Sequence, residues 1–400
     1  MTEYSLAAGV MHPTPSQPQA DCVVVGASFA GLACATALAR AGLRVTVLEK
    51  KADPGERLHT TGIIVKEAID EVALLDGLPA ELVRRIDGVR LYAHSLRYVD
   101  LAAPGYYFLA TDTPQVMRWL AARAEEAGAR IAYRQPFVQA QRIRSGFACG
   151  EAGTTRFLVG ADGPASQVAK TLGLGQSRQF LFGTEYEYAD AQIAEPGRLH
   201  CFIDRRLAPG YIAWVVAGVG VVQVGLARRL RGDQPAAGVA MAQFLEKISP
   251  LFDFRGMRPA SIRAGMIPCG GLVRPVAAPR VLLVGDAAGM VSPVTAGGIH
   301  TALKHGLSAG HAIADYLNGK REDPSGWFVR SYPRFRTKRF LRLLFDHFQS
   351  DALFNLLLGT MPIRVAAGIV FFHHKGVFGP VAQTLADRAA GQEAEGTGLR

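Results

Sequence analysis

Residues 22–50, CVVVGASFAGLACATALARAGLRVTVLEK, contain the first folding unit of this chain. Residues 22–25 are apolar and mostly β-branched, which predicts a buried strand. Residues 30–40 are strong helix formers and precede Gly42, a typical helix stop, and residues 45–48 predict a second strand. A strand, a helix and a second strand in this order form a βαβ unit, so we expect the chain to open a parallel sheet.

The turn between the first strand and the helix has the pattern GxGxxG, with Ser28 at the second glycine. Gly26 permits the tight turn, Ser28 is small enough for a phosphate to approach the backbone, and Gly31 lets helix and strand pack closely. Glu49 ends the second strand, at a spacing typical of a carboxylate that accepts hydrogen bonds from an adenosine ribose. This context predicts a dinucleotide site; a turn that serves packing alone is the alternative.

Two later strands also end at a carboxylate. The segment RFLVGADG ends at Asp162 and Gly163, and VLLVGDAAGMVSPVTAGGIHTA, residues 281–302, has a strand that ends at Asp286. Gly297 and Gly298 then open a helix. A strand end beside a helix N-terminus suits a polar ligand, although each aspartate would also serve as a plain helix cap.

Composition indicates a globular chain, since 49% of its 400 residues are hydrophobic and 20% are charged. The net charge of +10 is scattered, which argues against a nucleic-acid partner. The densest basic group is interleaved with Phe and Leu within residues 334–345, a mixture typical of a peripheral membrane contact, with an ordinary solvated helix face as the alternative. Its basic members are Arg334, Arg336, Lys338, Arg339 and Arg342.

Location and metal content follow from a few further features. The five cysteines form no CxxC pair, and the N-terminus does not resemble a signal peptide, so we expect a cytoplasmic protein without disulfides. Residues 353–372 are the most apolar run, but Pro362 and Arg364 interrupt it, which predicts membrane association at most and no spanning helix. His373 and His374 point apart in any regular element, so no metal site is predicted.

Three fingerprints, GASFAG with Glu49, VGADGPAS and LLVGDAAGMVSPVTAGGI, resemble those of FAD-dependent oxidoreductases with the p-hydroxybenzoate hydroxylase type of fold. The third is similar to the geranylgeranyl reductase branch, because it carries Gly289 and TAGGI where ring hydroxylases carry a histidine and GxGxN. The segment PGYIAW, residues 209–214, is similar to that branch's substrate motif PxxYxWxFP, with Val215 and Val216 in place of the final pair. The branch's loop cysteine is absent from residues 57–62, RLHTTG, and the helix expected to begin with Asp-Arg begins with Asp112 and Thr113.

The resemblance implies an α/β fold, α+β overall, with a Rossmann-like FAD-binding domain, an inserted antiparallel β-sheet substrate domain and a helical C-terminal region. The FAD-binding domain would comprise residues 21–80, 108–175 and 270–322, and the substrate domain residues 81–107 and 176–269. Residues 323–390 would be helical, and residues 1–20 and 391–400 would be tails.

The resemblance also implies FAD as cofactor, NAD(P)H as electron donor and a hydrophobic small-molecule substrate. The expected FAD contacts are Gly26, Ala27, Ser28, Phe29, Ala30, Gly31, Glu49, Lys50, Asp162, Gly163, Gly285, Asp286, Ala287, Gly289, Pro293, Gly297, Gly298 and Ile299. The expected substrate-chamber residues are Tyr211, Trp214, His59 and Thr60, although strand aromatics also serve as core and His59 also suits a solvated loop.

The implied reaction is reduction of carbon–carbon double bonds in a prenyl chain by hydride transfer from reduced flavin. Two alternatives remain open at this point. One is a flavin monooxygenase or halogenase acting on an aromatic or polyketide-like molecule, since one fold supports several chemistries. The other is a peripheral membrane flavoprotein whose flavin is not catalytic. No residue in the sequence is identified as the proton donor that a reduction needs.

Overall fold

A computed structural model describes residues 19–229, 236–348 and 350–372. Its strands in chain order are β1 (Ala20–Val25), β2 (Val45–Leu48), β3 (Ile63–Val65), β4 (Val83–Ile86), β5 (Gly88–Tyr92), β6 (Tyr98–Leu101), β7 (Phe108–Thr111), β8 (Arg130–Ala132), β9 (Gln141–Ile143), β10 (Gly146–Ala148), β11 (Thr154–Gly160), β12 (Phe180–Ala189), β13 (Arg198–Phe202), β14 (Ala213–Ala217), β15 (Val221–Arg228), β16 (Ser261–Pro268), β17 (Ala277–Ala278) and β18 (Val281–Leu283). Its α-helices are α1 (Phe29–Arg40), α2 (Lys66–Glu71), α3 (Thr113–Glu126), α4 (Gln167–Thr171), α5 (Ala237–Ile248), α6 (Ile299–Leu317), α7 (Pro324–Trp327), α8 (Arg336–Phe348), α9 (Asp351–Leu357) and α10 (Met361–Phe371).

The predicted βαβ unit lies at the centre of a mainly parallel sheet. The strand order is β17-β18-β11-β1-β2-β8, with β10 and β9 added beside β11. Strands β18, β11, β1, β2 and β8 are mutually parallel, so the three strands that end near carboxylates, β2, β11 and β18, end at one edge of the sheet. Helices α1 and α6 pack against each other on this sheet, which brings both helix N-termini to that same edge.

A second sheet forms the wall opposite that edge, in the order β16-β12-β15-β14-β13-β5-β6. Its pairs are antiparallel as expected, except that β5 and β13 are parallel. This exception arises because the chain returns to the first sheet between these two strands. A small sheet, β3-β7-β4, lies between the two large ones and was not predicted.

Strand β16 was also missed by the sequence reasoning, although it pairs with β12 along eight residues. Its apolar and polar residues alternate in the opposite sense to a typical half-buried strand, with large apolar side chains on the more exposed face. Ile262 and Met266 are exposed, although Met266 also borders the cavity, whereas Arg263 and Gly265 are half-buried and line the cavity. The inner face of this part of the sheet therefore consists of polar and small residues.

The C-terminal region is helical as predicted, with α7 to α10 extending to Phe371. Within the described ranges, none of the helices is both long enough and apolar enough to cross a membrane. The two histidines at 373 and 374, the rest of the predicted helical region up to residue 390 and the predicted tail at 391–400 lie outside the described residues. Only residues 19 and 20 of the predicted tail at 1–20 are described, and Ala20 begins β1. The division of the chain into domains stays a prediction.

Candidate FAD and substrate site

A cavity of 2180 Å³ opens at the carboxyl ends of β1, β2, β11 and β18. Most of the expected FAD contacts line it, and so do all four expected substrate-chamber residues. The expected FAD contacts on its wall are Gly26, Ala27, Ser28, Phe29, Ala30, Glu49, Lys50, Asp162, Gly163, Gly285, Asp286, Gly297, Gly298 and Ile299. Gly31, Ala287, Gly289 and Pro293 are not on its wall. One fold therefore brings three distant sequence motifs to one space.

The glycine turn after β1 is pressed tightly against the end of β11. Gly26 has a φ of +101°, and a Cβ on it would lie 2.5 Å from the Ala161 carbonyl oxygen. A Cβ on Gly31 would lie 2.0 Å from the Gly26 carbonyl oxygen, so Gly31 serves packing beneath the turn. Ser28 Oγ accepts a hydrogen bond from the Gly31 N–H at 3.2 Å and donates one to the Ala161 carbonyl at 3.0 Å. The first turn of α1 is thus open to the cavity, the arrangement that binds a pyrophosphate.

Glu49 holds this turn against the end of β2. Its Oε2 accepts a hydrogen bond from the Ala27 N–H at 2.8 Å, and its Oε1 accepts one from the Lys51 N–H at 2.9 Å. Each carboxylate oxygen has a further lone pair, and the side chain lines the cavity. Glu49 therefore has a structural role in addition to the predicted contact with a ribose.

Asp286 lines the cavity with a carboxylate that lacks hydrogen-bond donors from the described residues. It lies in a short 3-10 turn, Gly285–Ala288, close to Gly298 at the N-terminus of α6. Among the described residues, no group donates a hydrogen bond to its carboxylate, and burial raises its pKa to about 6. The side chain is half-buried on the cavity wall. A carboxylate that is partly removed from water without donors is costly, and ligand hydroxyl groups would supply them. With the open first turn of α1, this feature shows that the residues present fit FAD.

Asp162 accepts hydrogen bonds from the start of α4, whose N-cap is Ser166 rather than Asp162 itself. Its carboxylate accepts hydrogen bonds from Ser166 Oγ at 2.6 Å, the Gln167 N–H at 2.6 Å and the Val168 N–H at 3.1 Å. The helix expected near Pro164 begins at Gln167, after the N-cap Ser166. Asp162 still lines the cavity, and its contact with a bound cofactor stays a prediction.

The loop that carries His59 and Thr60 is attached to the second sheet. His59 Nδ1 lies 2.6 Å from the Ala264 carbonyl oxygen, and the Thr60 carbonyl accepts a hydrogen bond from Arg263 Nη1 at 3.0 Å. Gln223 Nε2 donates to the Thr61 carbonyl at 3.1 Å. The loop is therefore fixed at the junction of the two sheets, even though His59 is partly exposed.

Tyr211 connects the second sheet to the third fingerprint. Its hydroxyl donates a hydrogen bond to the Thr295 carbonyl, and burial raises the pKa of this phenol. The ring is therefore a neutral donor that fixes the loop before α6. Tyr211 is 8% exposed yet lines the cavity, so it is both a packing residue and part of the chamber wall.

A polar network on the inner face of the second sheet was not predicted. Trp214 Nε1 donates a hydrogen bond to Glu185 Oε2 at 3.0 Å. Arg263 Nη2 lies 2.7 Å from Glu187 Oε1, and Gln223 Nε2 donates to the same oxygen at 3.2 Å. The only signal in the sequence was a pair of acids, two residues apart, in an otherwise aromatic strand.

Helices α8, α9 and α10 form an apolar wall over the cavity. Arg205 N–H donates to Asp351 Oδ1 at 3.0 Å and Ser95 Oγ donates to Asn355 Oδ1 at 2.8 Å, and these bonds hold α9 on the second sheet. The apolar side chains that the three helices place on the cavity are Leu341, Leu353, Phe354, Leu357, Ile363, Ala366, Ala367, Val370 and Phe371.

The basic group near residues 334–345 does not form one face. Arg334, Arg336 and Arg339 are exposed, whereas Lys338 and Arg342 line the cavity. Arg342 is 4% exposed and Nη1 donates to the Pro293 carbonyl at 3.3 Å, while desolvation lowers the pKa of Lys338. The interpretation of all five as a surface for lipid was therefore wrong for two of them, because positions 338 and 342 share the inner side of α8.

Fold and site together define an FAD-dependent oxidoreductase. Residues 19–339 match the family described as FAD binding domain, and the chain belongs to that family. Digeranylgeranylglycerophospholipid reductase 1 of Methanopyrus kandleri is 30% identical over 328 residues, which cover 78% of this chain and 84% of the relative. The expected resemblance to the geranylgeranyl reductases is thereby confirmed.

Solved structures show the same fold. A geranylgeranyl bacteriochlorophyll reductase-like protein from Thermoplasma acidophilum superposes with a TM-score of 0.73 at 19% identity, covering 89% of this chain and 97% of that one. The halogenase PltM, in complex with phloroglucinol and FAD, gives a TM-score of 0.68 at 15% identity, covering 84% and 79%. The fold is thus shared by reductases and halogenases, so the chemistry has to be argued from the cavity.

Proposed function

We propose that this protein reduces carbon–carbon double bonds in the prenyl chain of a lipid, with NAD(P)H as the electron donor. The observation that carries the proposal is the size and lining of the cavity. Its relatives among the digeranylgeranylglycerophospholipid reductases are named for a substrate of this class, which supports the assignment.

The cavity is larger than one ligand requires. Typical ligand pockets measure about 300–1,000 Å³, whereas this one measures 2180 Å³. One end carries the glycine turn, Glu49 and Asp286, the groups that suit a dinucleotide. The other end is walled by aliphatic and aromatic side chains of β13, β14 and the three C-terminal helices, so it offers a long apolar chain room beside the cofactor.

Residues at one end of the cavity would bind FAD, and residues at the other end would bind the substrate. The first turn of α1 would hold the pyrophosphate of FAD, Asp286 would accept hydrogen bonds from its ribityl hydroxyls, and the N-terminus of α6 would favour negative charge on its ring. When bound, FAD supplies the hydride that the reduction consumes. The walls formed by α8 to α10 exclude water from the double bond and hold it beside the ring.

Anaerobic reoxidation kinetics test this proposal. The holoenzyme, reduced with NADPH or NADH in separate runs, is mixed without oxygen with a geranylgeranyl phospholipid in detergent micelles. We expect the absorbance of oxidised flavin to return at a rate that rises with lipid concentration. The monooxygenase or halogenase alternative would be favoured if no prenyl lipid reoxidised the flavin and an aromatic compound were turned over in the presence of oxygen.

We also propose that the outer face of α8 to α10 contacts an anionic membrane surface, from which a lipid substrate would enter. These helices carry exposed apolar side chains in addition to those that line the cavity. Their exposed apolar side chains are Phe340 (60%), Leu343 (61%), Leu356 (74%), Met361 (71%) and Val365 (54%). The exposed Arg334, Arg336 and Arg339 lie on or next to α8, where they would attract anionic headgroups. A cytoplasmic, membrane-associated location agrees with this surface.

Vesicle sedimentation tests the membrane contact. Burying a Leu or Phe side chain contributes about 1.5–3 kcal/mol, so the double variant Phe340→Ser, Leu343→Ser should sediment with anionic vesicles at least about tenfold more weakly. The matched control, Val239→Ser with Ile262→Ser, removes two exposed apolar side chains elsewhere and should bind like the parent. Equal binding by all three proteins would show that this face does not contact lipid.

A further inference from the structure

We propose that Glu185 is the proton donor of the reduction. This inference rests on the proposed function and assigns a role that the sequence left unfilled. When a hydride is added to one alkene carbon, the neighbouring carbon needs a proton. The loop at residues 57–62 contains no cysteine that could donate it. The argument for Glu185 comes from its place in the second sheet and from its contacts.

Glu185 lies in the middle of a row of side chains that crosses the cavity face of the sheet. In the strand register, Trp214 pairs with Gly225, Gly225 pairs with Glu185, and Glu185 pairs with Arg263. A Cβ on Gly225 would lie 2.2 Å from Trp214 Cζ2, so the indole reaches across β15 only because that position is glycine. Trp214, Glu185 and Arg263 all line the cavity, together with the loop at 59–61.

The contacts leave one oxygen of Glu185 available to carry a proton. The Trp214 indole N–H occupies Oε2 at 3.0 Å. Among the residues that the structure describes, no hydrogen bond of good geometry reaches the buried Oε1, which lies 3.8 Å from Arg263 Nη1. The Thr61 side chain also approaches this carboxyl group and favours its ionised form. Arg263 makes its short contact, 2.7 Å, with Glu187 instead. Glu187 therefore takes most of the neutralising charge.

The surroundings favour the protonated form of Glu185. Burial raises its pKa, and the negative charge of Glu187 raises it further, while Thr61, Arg263 and Trp214 act in the opposite direction. His59, on the loop at 59–61, is a further titratable group on this side and lies against Gly265 of β16. A raised pKa extends the pH range in which the carboxyl group carries a proton, which is what general acid catalysis requires.

The step balances without a further reagent. The hydride and its electron pair come from NAD(P)H by way of FAD and form one C–H bond. The π electrons of the alkene take the proton of the Glu185 carboxyl group, which forms the second C–H bond as the O–H bond breaks. The resulting carboxylate regains a proton from solvent before the next turnover.

A buried ion-pair network with only a structural role is the competing explanation, and Glu187 provides the matched control for it. Both acids lie on β12, face Arg263 and are buried. The two variants, Glu185→Gln and Glu187→Gln, are compared as holoenzymes for flavin content, for reduction by NAD(P)H and for anaerobic reoxidation by the prenyl lipid across pH.

We expect Glu185→Gln to keep its flavin and its reduction by NAD(P)H but to slow reoxidation by about 10²–10⁴-fold, the usual contribution of a general acid. The reoxidation rate of the parent should fall at high pH. The same fall should be seen in Glu185→Asp and in Glu187→Gln but not in Glu185→Gln. Infrared spectra of the holoenzymes should show a protonated carboxyl band that Glu185→Gln lacks and Glu187→Gln retains.

Three results would overturn the assignment. Full reoxidation by Glu185→Gln with an unchanged pH profile would remove Glu185 from the reaction while leaving the proposed function intact. Equal losses in both variants with unaltered pH profiles and infrared bands would show a structural network. Failure of the parent holoenzyme to react with any prenyl lipid would overturn the proposed function and this inference together.

Discussion

Asp286→Asn is expected to weaken FAD binding by about 10- to 100-fold at about pH 7. The carboxylate lines the cavity and receives no hydrogen bond from the described residues, so its donors would come from the cofactor. Hydrogen bonds to a charged group contribute about 1.5–3 kcal/mol, and each 1.4 kcal/mol is about a factor of ten in affinity. Flavin fluorescence titration of the cofactor-depleted protein measures the dissociation constant.

The pH dependence of binding makes this prediction more specific. Without cofactor, burial places the pKa of Asp286 at about 6, above its ordinary value of 3.8. Hydroxyl donors favour the ionised form, so binding requires loss of the proton, and affinity should fall about tenfold between about pH 7 and pH 5. The same raised pKa means that the cofactor-free protein loses stability as the pH rises from about 4 to about 6.

Two comparisons decide the outcome for Asp286. The variant Asp286→Asn should lose the pH dependence of binding, whereas Asp76→Asn, which alters an exposed aspartate, should behave like the parent. An Asp286→Asn protein that binds FAD as tightly as the parent at both pH values would show that this carboxylate does not hold the cofactor.

Gly225→Ala is expected to lower the free energy of unfolding by about 1–3 kcal/mol, the cost of overpacking a core. The added Cβ would lie 2.2 Å from the Trp214 ring, which would have to leave Glu185. In a Trp214→Leu background the smaller side chain frees this space, so the same substitution should cost only a few tenths of a kcal/mol.

A double-mutant cycle measured by urea unfolding of the holoenzymes tests the coupling of Gly225 and Trp214. Gly197→Ala, where an added Cβ meets nothing within 4 Å, controls for the general effect of replacing glycine by alanine. Additive effects of Gly225→Ala and Trp214→Leu would show that the indole does not lie across β15 as described.

The cofactor half of the site could be predicted from sequence because its signals are local. Strand, glycine turn and helix are consecutive within residues 22–50, and the acids at 49, 162 and 286 each follow an apolar run. Parallel pairing then brings the ends of these strands together without further information. The hydrogen bonds from the start of α4 to Asp162 are also local, since their donors lie four to six residues along the chain.

The substrate half depended on contacts that sequence does not reveal. Glu185, Trp214 and Arg263 meet only through the register of β14, β15, β12 and β16, and β16 was missed because its apolar residues face solvent. The division of the basic cluster was accessible in principle, since Lys338 and Arg342 are four residues apart and Leu341 lies beside them. Helical phase, applied to that segment, would have separated them from the exposed arginines.

Product analysis after anaerobic turnover tests the central claim most directly. The holoenzyme is incubated with NAD(P)H and a geranylgeranyl phospholipid, and the lipid is examined by mass spectrometry. We predict a lipid that has gained one pair of hydrogens for each double bond reduced, with one NAD(P)H oxidised per bond. An unchanged lipid, with an aromatic compound oxygenated or halogenated when oxygen is admitted, would contradict the assignment of this protein as a prenyl reductase.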